Sequence, residues 1–145
     1  MADANLRGLS IELKLGNDVP RLMLNIKEMK QLILNLCRNG MEAMDEKGTL
    51  IIETQVHHDS VELYVADTGS GISEVELERL FEPFFTTKVK GTGLGLALCM
   101  SIVQRHYGSI RVESKVGKGT VFIVSLPLGG LAQGTIESQS AATSE

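Results

Sequence analysis

Glycine stands at every second position in Gly91-Thr92-Gly93-Leu94-Gly95-Leu96. A packed strand gains nothing from that spacing, because glycine has no side chain to bury and loses the most backbone freedom on ordering. The spacing suits a backbone that bends sharply and brings its N–H groups close to a ligand. The apolar run from Leu94 to Val103 reads as a helix, which puts the glycines at its N-terminus. Unpaired N–H groups and the positive end of the helix dipole face one point there, so an anion fits, and phosphate is the first candidate.

The totals make that binding local. With a net charge of −4 over 145 residues, no general basic field draws nucleic acid or anionic lipid. An apolar fraction of 43% and a charged fraction of 22% are those of one ordinary globular domain. Cys37 and Cys99 fall in apolar helical patterns without metal-ligand spacing, which reads as two buried, reduced thiols of a cytoplasmic protein. No apolar run approaches the ~20 residues that span a bilayer, and no signal peptide opens the chain. No membrane contact by this chain is expected.

Periodicity then orders the elements. Ser10 to Leu15 alternates as a half-buried strand. Asn25 caps a helix running to about Asp45, with Glu28 as its capping-box partner. Leu50 to Val56 and Val61 to Ala66 form a hairpin around His57-His58-Asp59-Ser60. Ser73 caps a short helix that ends before Pro83, with Glu76 at the box position. A helix from about Leu94 to His106 stops at Gly108, and Ser109 to Ser114 pairs with Thr120 to Leu126. The order β-α-β-β-α-α-β-β implies an α/β two-layer sandwich, its mixed, mostly antiparallel sheet covered on one face by helices. Residues 1–128 are expected to form this domain and 129–145 a flexible tail poor in large apolar residues.

Three places carry chemistry. In the first long helix, Gln31, Asn35 and Asn39 make a polar line at i, i+4, i+8 through apolar surroundings. Either this is a solvated face or the amides offer oxygens to a hard cation such as Mg²⁺. Asp67 closes a strand and opens Asp67-Thr68-Gly69-Ser70-Gly71. It is either an Asx-type turn or a carboxylate that, as a pure acceptor, selects the amine of adenine over the carbonyl of guanine. Phe81, Phe84 and Phe85 crowd beside Pro83, as core anchors or as the aromatics of a lid. Lys88 and Lys90 follow, within reach of a phosphate at the glycines or simply solvated. The glycine run fits neither G-x-G-x-x-G nor the P-loop, which argues against a Rossmann or P-loop enzyme.

In order, these pieces resemble the ATP-binding catalytic domain of sensor histidine kinases, in the group that includes gyrase, Hsp90-type chaperones and mismatch-repair ATPases. Asn35 to Met44 is similar to that family's N box, Asp67 to Ile72 to its first glycine box and Leu80 to Phe85 to its F box. Gly91 to Leu96 is similar to the second glycine box and Gly117 to Phe122 to the closing strand pair. The resemblance covers about residues 5–128 and implies the Bergerat-type ATP-binding fold.

It also implies roles. Asn39 would coordinate Mg²⁺ with Asn35 in support, and both count as catalytic. Asp67 would bind the adenine amine with Thr120 nearby, while Gly69 and Gly71 shape the base pocket. Gly91, Gly93 and Gly95 would hold the phosphates of ATP beneath the lid. Ile72, Phe85, Lys88, Thr92, Leu94 and Leu96 complete the nucleotide contacts. Gly40 stands where alanine is usual and Glu42 where some members carry a lysine, which leaves charge balance to Arg38, Lys88 and Lys90. The ATPase branches carry a glutamate at position 35; asparagine there has no useful basicity.

The implied activity is therefore a histidine kinase of two-component signal transduction. Its partners would be a histidine-bearing dimerisation domain and, downstream, a response regulator. None of His57, His58 and His106 lies in an acceptor motif. The chain is expected to be a monomeric catalytic fragment of a longer kinase, soluble or membrane-anchored. Competing readings are an ATPase or serine kinase of the same fold, and a nucleotide-binding docking module without chemistry.

Overall fold

The computed structural model describes residues 8–86 and 94–128. Five strands run β1 (Leu9–Lys14), β2 (Gly48–His57), β3 (Ser60–Asp67), β4 (Ser109–Lys115) and β5 (Gly119–Pro127). The helices are α1 (Ile26–Glu42), α2 (Glu74–Leu77) and α3 (Gly95–Arg105). The sheet order is β1-β2-β3-β5-β4. β1 and β2 are parallel and every other pair is antiparallel. A parallel pair cannot be closed by a tight turn, and α1 supplies the crossover. This is the mixed sheet expected from the strand pattern, with α1 and α3 packed over one face.

Register explains the core. Ile52, Val65, Phe122 and Val112 lie side by side across four strands, and so do Thr54, Leu63, Val124 and Ile110. These rows face α1, which buries Leu32, Leu36, Cys37 and Met41 at helical spacing, and α3, which buries Cys99, Ile102 and Val103. Phe81 packs edge-on against Phe122, centroids 6.3 Å apart. The three clustered phenylalanines thus divide. Phe81 joins the core, Phe85 lies under the Arg79 guanidinium at 4.7 Å, and Phe84 is exposed with φ of 70°.

Three details of the helix ends differ from the sequence reading. Asn25 does cap α1, its Oδ1 accepting the Glu28 N–H at 3.0 Å, but the return bond of a capping box is not made. The Asn25 N–H instead donates to His106 Nε2 at 3.1 Å, and Glu28 pairs with Arg105. The second change concerns Gly108. The left-handed residue after α3 is Tyr107, with φ of 60°, and Gly108 closes a Schellman pattern by donating its N–H to Val103 O at 3.0 Å. Glycine is needed at 108 for room, since a Cβ there would collide with the Ser125 carbonyl oxygen. α1 also ends at Glu42, short of Asp45.

His106 is 1% exposed and ties the two long helices together. Its Nε2 accepts from an amide N–H, so Nδ1 carries the proton and donates to Ile102 O at 2.8 Å. Replacing it with leucine keeps the volume but strands the Asn25 N–H. His106→Leu is expected to cost about 1–3 kcal/mol, read as a lower urea midpoint at unchanged slope. Among the described residues, no helix is long and apolar enough to cross a membrane.

Candidate functional site

The helix-facing rows of the sheet end in polar residues. One step beyond the Phe122 row, Asp67, Thr120 and Ser114 lie side by side on β3, β5 and β4, with Leu50 beyond them on β2. Asp67 is only 7% exposed. Burial pushes its carboxyl above the ordinary carboxylate range, opposed by N–H donors from Gly69 and Thr120. The Gly69 N–H lies 2.8 Å from Oδ1. The Asx turn is therefore made, and its amide holds one oxygen of a carboxylate that is otherwise desolvated.

The loop after Asp67 is pinned from two sides. Ser70 N–H donates to Ala43 O at the end of α1, 3.1 Å away, and Ser70 O accepts from Gly117 N–H in the β4–β5 turn at 2.8 Å. Gly71 sits at φ of +78°, and a Cβ would strike the Lys115 carbonyl. Ile72 N–H donates to Ser114 Oγ at 2.8 Å. Gly40 of α1 backs this floor: a Cβ there would come within 2.8 Å of Leu50 Cδ1 and 3.5 Å of Asp67 Oδ2. Its small size thus bears on the Asp67 environment as well as on helix propensity.

Across from this floor, Asn35 and Asn39 are half-buried on α1. Asn35 Nδ2 reaches the Gly95 carbonyl at 3.4 Å, the first residue of α3. A carbonyl only accepts, so the amide nitrogen must be the atom turned to α3, and Oδ1 points elsewhere. Cys99, one turn into α3, also hydrogen-bonds Asn35, although burial dominates and pushes its thiol up to about 11. Cys37 and Cys99 are both buried and unpaired, as their helical positions predicted. No side chain caps the start of α3 at Leu94. Leu94 is exposed and Leu96 half-buried. Lys88, Gly91, Thr92 and Gly93, which carried the phosphate expectation, lie outside the described residues.

The structure thus brings Asp67, Gly69, Gly71, Ile72 and Thr120 into one floor, and Asn35 into contact with Gly95. Phe85 sits with Arg79 rather than with these groups. Ser114 was missed. Its signal was present in the sequence, since Ile110, Val112 and Ser114 share one face of β4 and end opposite Thr120.

Residues 25–130 match the family model described as histidine kinase-, DNA gyrase B- and HSP90-like ATPase. The chain belongs to this family. It is 40% identical over 128 residues to sporulation kinase E of Bacillus subtilis, covering 88% of this chain and 17% of that protein. It is 36% identical to the sensor histidine kinase ZraS of Escherichia coli K12, over 87% of this chain and 27% of ZraS. The solved catalytic domain of histidine kinase ThkA superposes with a TM-score of 0.79 at 33% identity, covering 87% of this chain and 83% of that one. Full-length ShkA in complex with AMPPNP also gives a TM-score of 0.79, at 25% identity, over 89% of this chain and 27% of that one. The fold is that of a histidine kinase catalytic domain, and the chain spans about a quarter or less of these curated relatives.

Proposed function

We propose that this chain binds Mg-ATP and donates the γ-phosphoryl group to a histidine on a separate dimerisation domain of a two-component sensor kinase. The observation that carries the choice is Asn35. Its amide has no basicity, and its nitrogen is engaged with Gly95 O at the start of α3. A family ATPase needs a base to activate water there. Without one, the acceptor must bring its own nucleophile, and positioning plus charge stabilisation suffices for a loose phosphoryl transition state.

Asp67 would accept from the 6-amino group of adenine, with the base lying against Gly69 and Gly71. The amide oxygens of Asn39 and Asn35 are hard donors of the kind Mg²⁺ takes, and their i, i+4 placement on α1 suits a metal shared with phosphate oxygens. Bound Mg²⁺ would neutralise charge on those oxygens. The uncapped N-terminus of α3 and Gly91, Gly93 and Gly95 would receive the phosphates, with Lys88 and Thr92 alongside. ShkA, held with the ATP analogue AMPPNP, supports a triphosphate in this fold. Thermal melting tests the reading. ATP with Mg²⁺ at 100 times its dissociation constant should stabilise the chain by about 2.7 kcal/mol, and no shift at millimolar Mg-ATP would count against it.

A further inference from the structure

Resting on the ATP reading, the hydroxyl geometry beside Asp67 goes one step further. Ser114 Oγ has three neighbours: Ile72 N at 2.8 Å, Gly119 O at 3.0 Å and Thr120 Oγ1 at 2.7 Å. An amide N–H only donates and a carbonyl only accepts, while a serine hydroxyl carries one proton. Ile72 N–H therefore occupies one lone pair of Ser114, and the Ser114 proton goes to Gly119 O. The bond to Thr120 must then be made by the threonine proton, running from Thr120 O–H to Ser114 Oγ. Thr120, 5% exposed, is left with acceptor lone pairs only. Its backbone N–H is already directed to Asp67.

We infer that Ser114 is a positioning residue that fixes the proton direction of Thr120 and thereby sharpens selection of a 6-amino purine over a 6-oxo purine. Asp67 and Thr120 Oγ1 together present only acceptors to the base. An amine, or a water bridging to the base, can donate to both. A 6-oxo group meets lone pairs at each. Removing the Ser114 hydroxyl releases the Thr120 proton, which can then swing to serve a carbonyl.

The experiment compares dissociation constants for ATP and inosine triphosphate, which differ at the 6-position and the adjoining ring nitrogen. The wild-type chain is expected to prefer ATP, and Ser114→Ala to lower that preference about tenfold, the scale of one mismatched hydrogen bond. Ser114→Thr keeps the oxygen and should keep the preference. Thr120→Val should lower it as Ser114→Ala does, and the double variant should lower it no further, because both act through one hydroxyl. Should Ser114→Ala not fold, the Thr120→Val ratio decides alone. Equal weakening of both nucleotides, or an unchanged ratio in Thr120→Val, overturns the inference while leaving ATP binding intact. A wild-type chain that binds neither nucleotide overturns the ATP reading and this inference with it.

Discussion

Asp67→Asn is expected to weaken ATP binding about 100-fold while the chain stays folded, a loss of a charge-assisted hydrogen bond to a buried partner. The carboxylate offers acceptors only, whereas an asparagine turns an N–H₂ toward either the adenine amine or the Thr120 N–H. Calorimetric titration of the two proteins checks the affinity. The pH dependence gives a second readout. Burial raises the Asp67 carboxyl above its ordinary value, so the protonated form, which cannot accept twice, persists to higher pH than for a free aspartate. ATP affinity should therefore fall as pH falls through that raised value, with an acid limb that Asp67→Asn lacks. The stability of the ligand-free chain has the opposite sense. The folded state holds the Asp67 proton where the unfolded state has lost it, so this residue lowers stability as pH rises from the ordinary aspartate value to the raised one. Asp67→Asn should remove that slope as well.

Asn39→Ala should leave metal-free ATP binding near wild type, abolish the extra stabilisation that Mg²⁺ adds, and slow phosphoryl transfer about 100-fold or more. A purely structural Asn39 predicts otherwise. Alanine is the better helix former by up to about 0.7 kcal/mol, so α1 would tolerate the change with Mg-ATP binding and transfer intact. Melting curves with ATP, with and without Mg²⁺, separate the two outcomes.

Much of this was readable from periodicity. Alternation located all five strands within two residues of each end, since each strand has one face on the helices and its parity is visible in Ile52, Val65 and Phe122. The Asn25 cap located the start of α1, whose end at Glu42 falls three residues short of Asp45. Asp67 stood out at the join of a strand and a glycine turn, Thr120 followed from the resemblance, and the register makes them neighbours. What could not be read depends on partners far away in the chain. Local capping rules assign the Asn25 N–H to Glu28, yet His106, 81 residues on, takes it. Gly108 is the stop expected, but its size is demanded by β5 and Tyr107 bears the left-handed turn. Glu62, charged in sequence, is 6% exposed on the open face of the sheet because Tyr64 and Arg111 flank it. Ser114 is an ordinary strand serine until the register sets it 2.7 Å from Thr120.

The central claim is that Asn35 leaves the γ-phosphoryl for an outside nucleophile. The direct measurement incubates the chain with γ-labelled ATP and Mg²⁺, alone and with the histidine-bearing dimerisation domain of a cognate sensor kinase. The expected result is base-stable, acid-labile label on the added domain, little on the chain alone, and little free phosphate in either tube. Rapid release of inorganic phosphate without labelling, or prompt acid-labile labelling of the isolated chain, would contradict it.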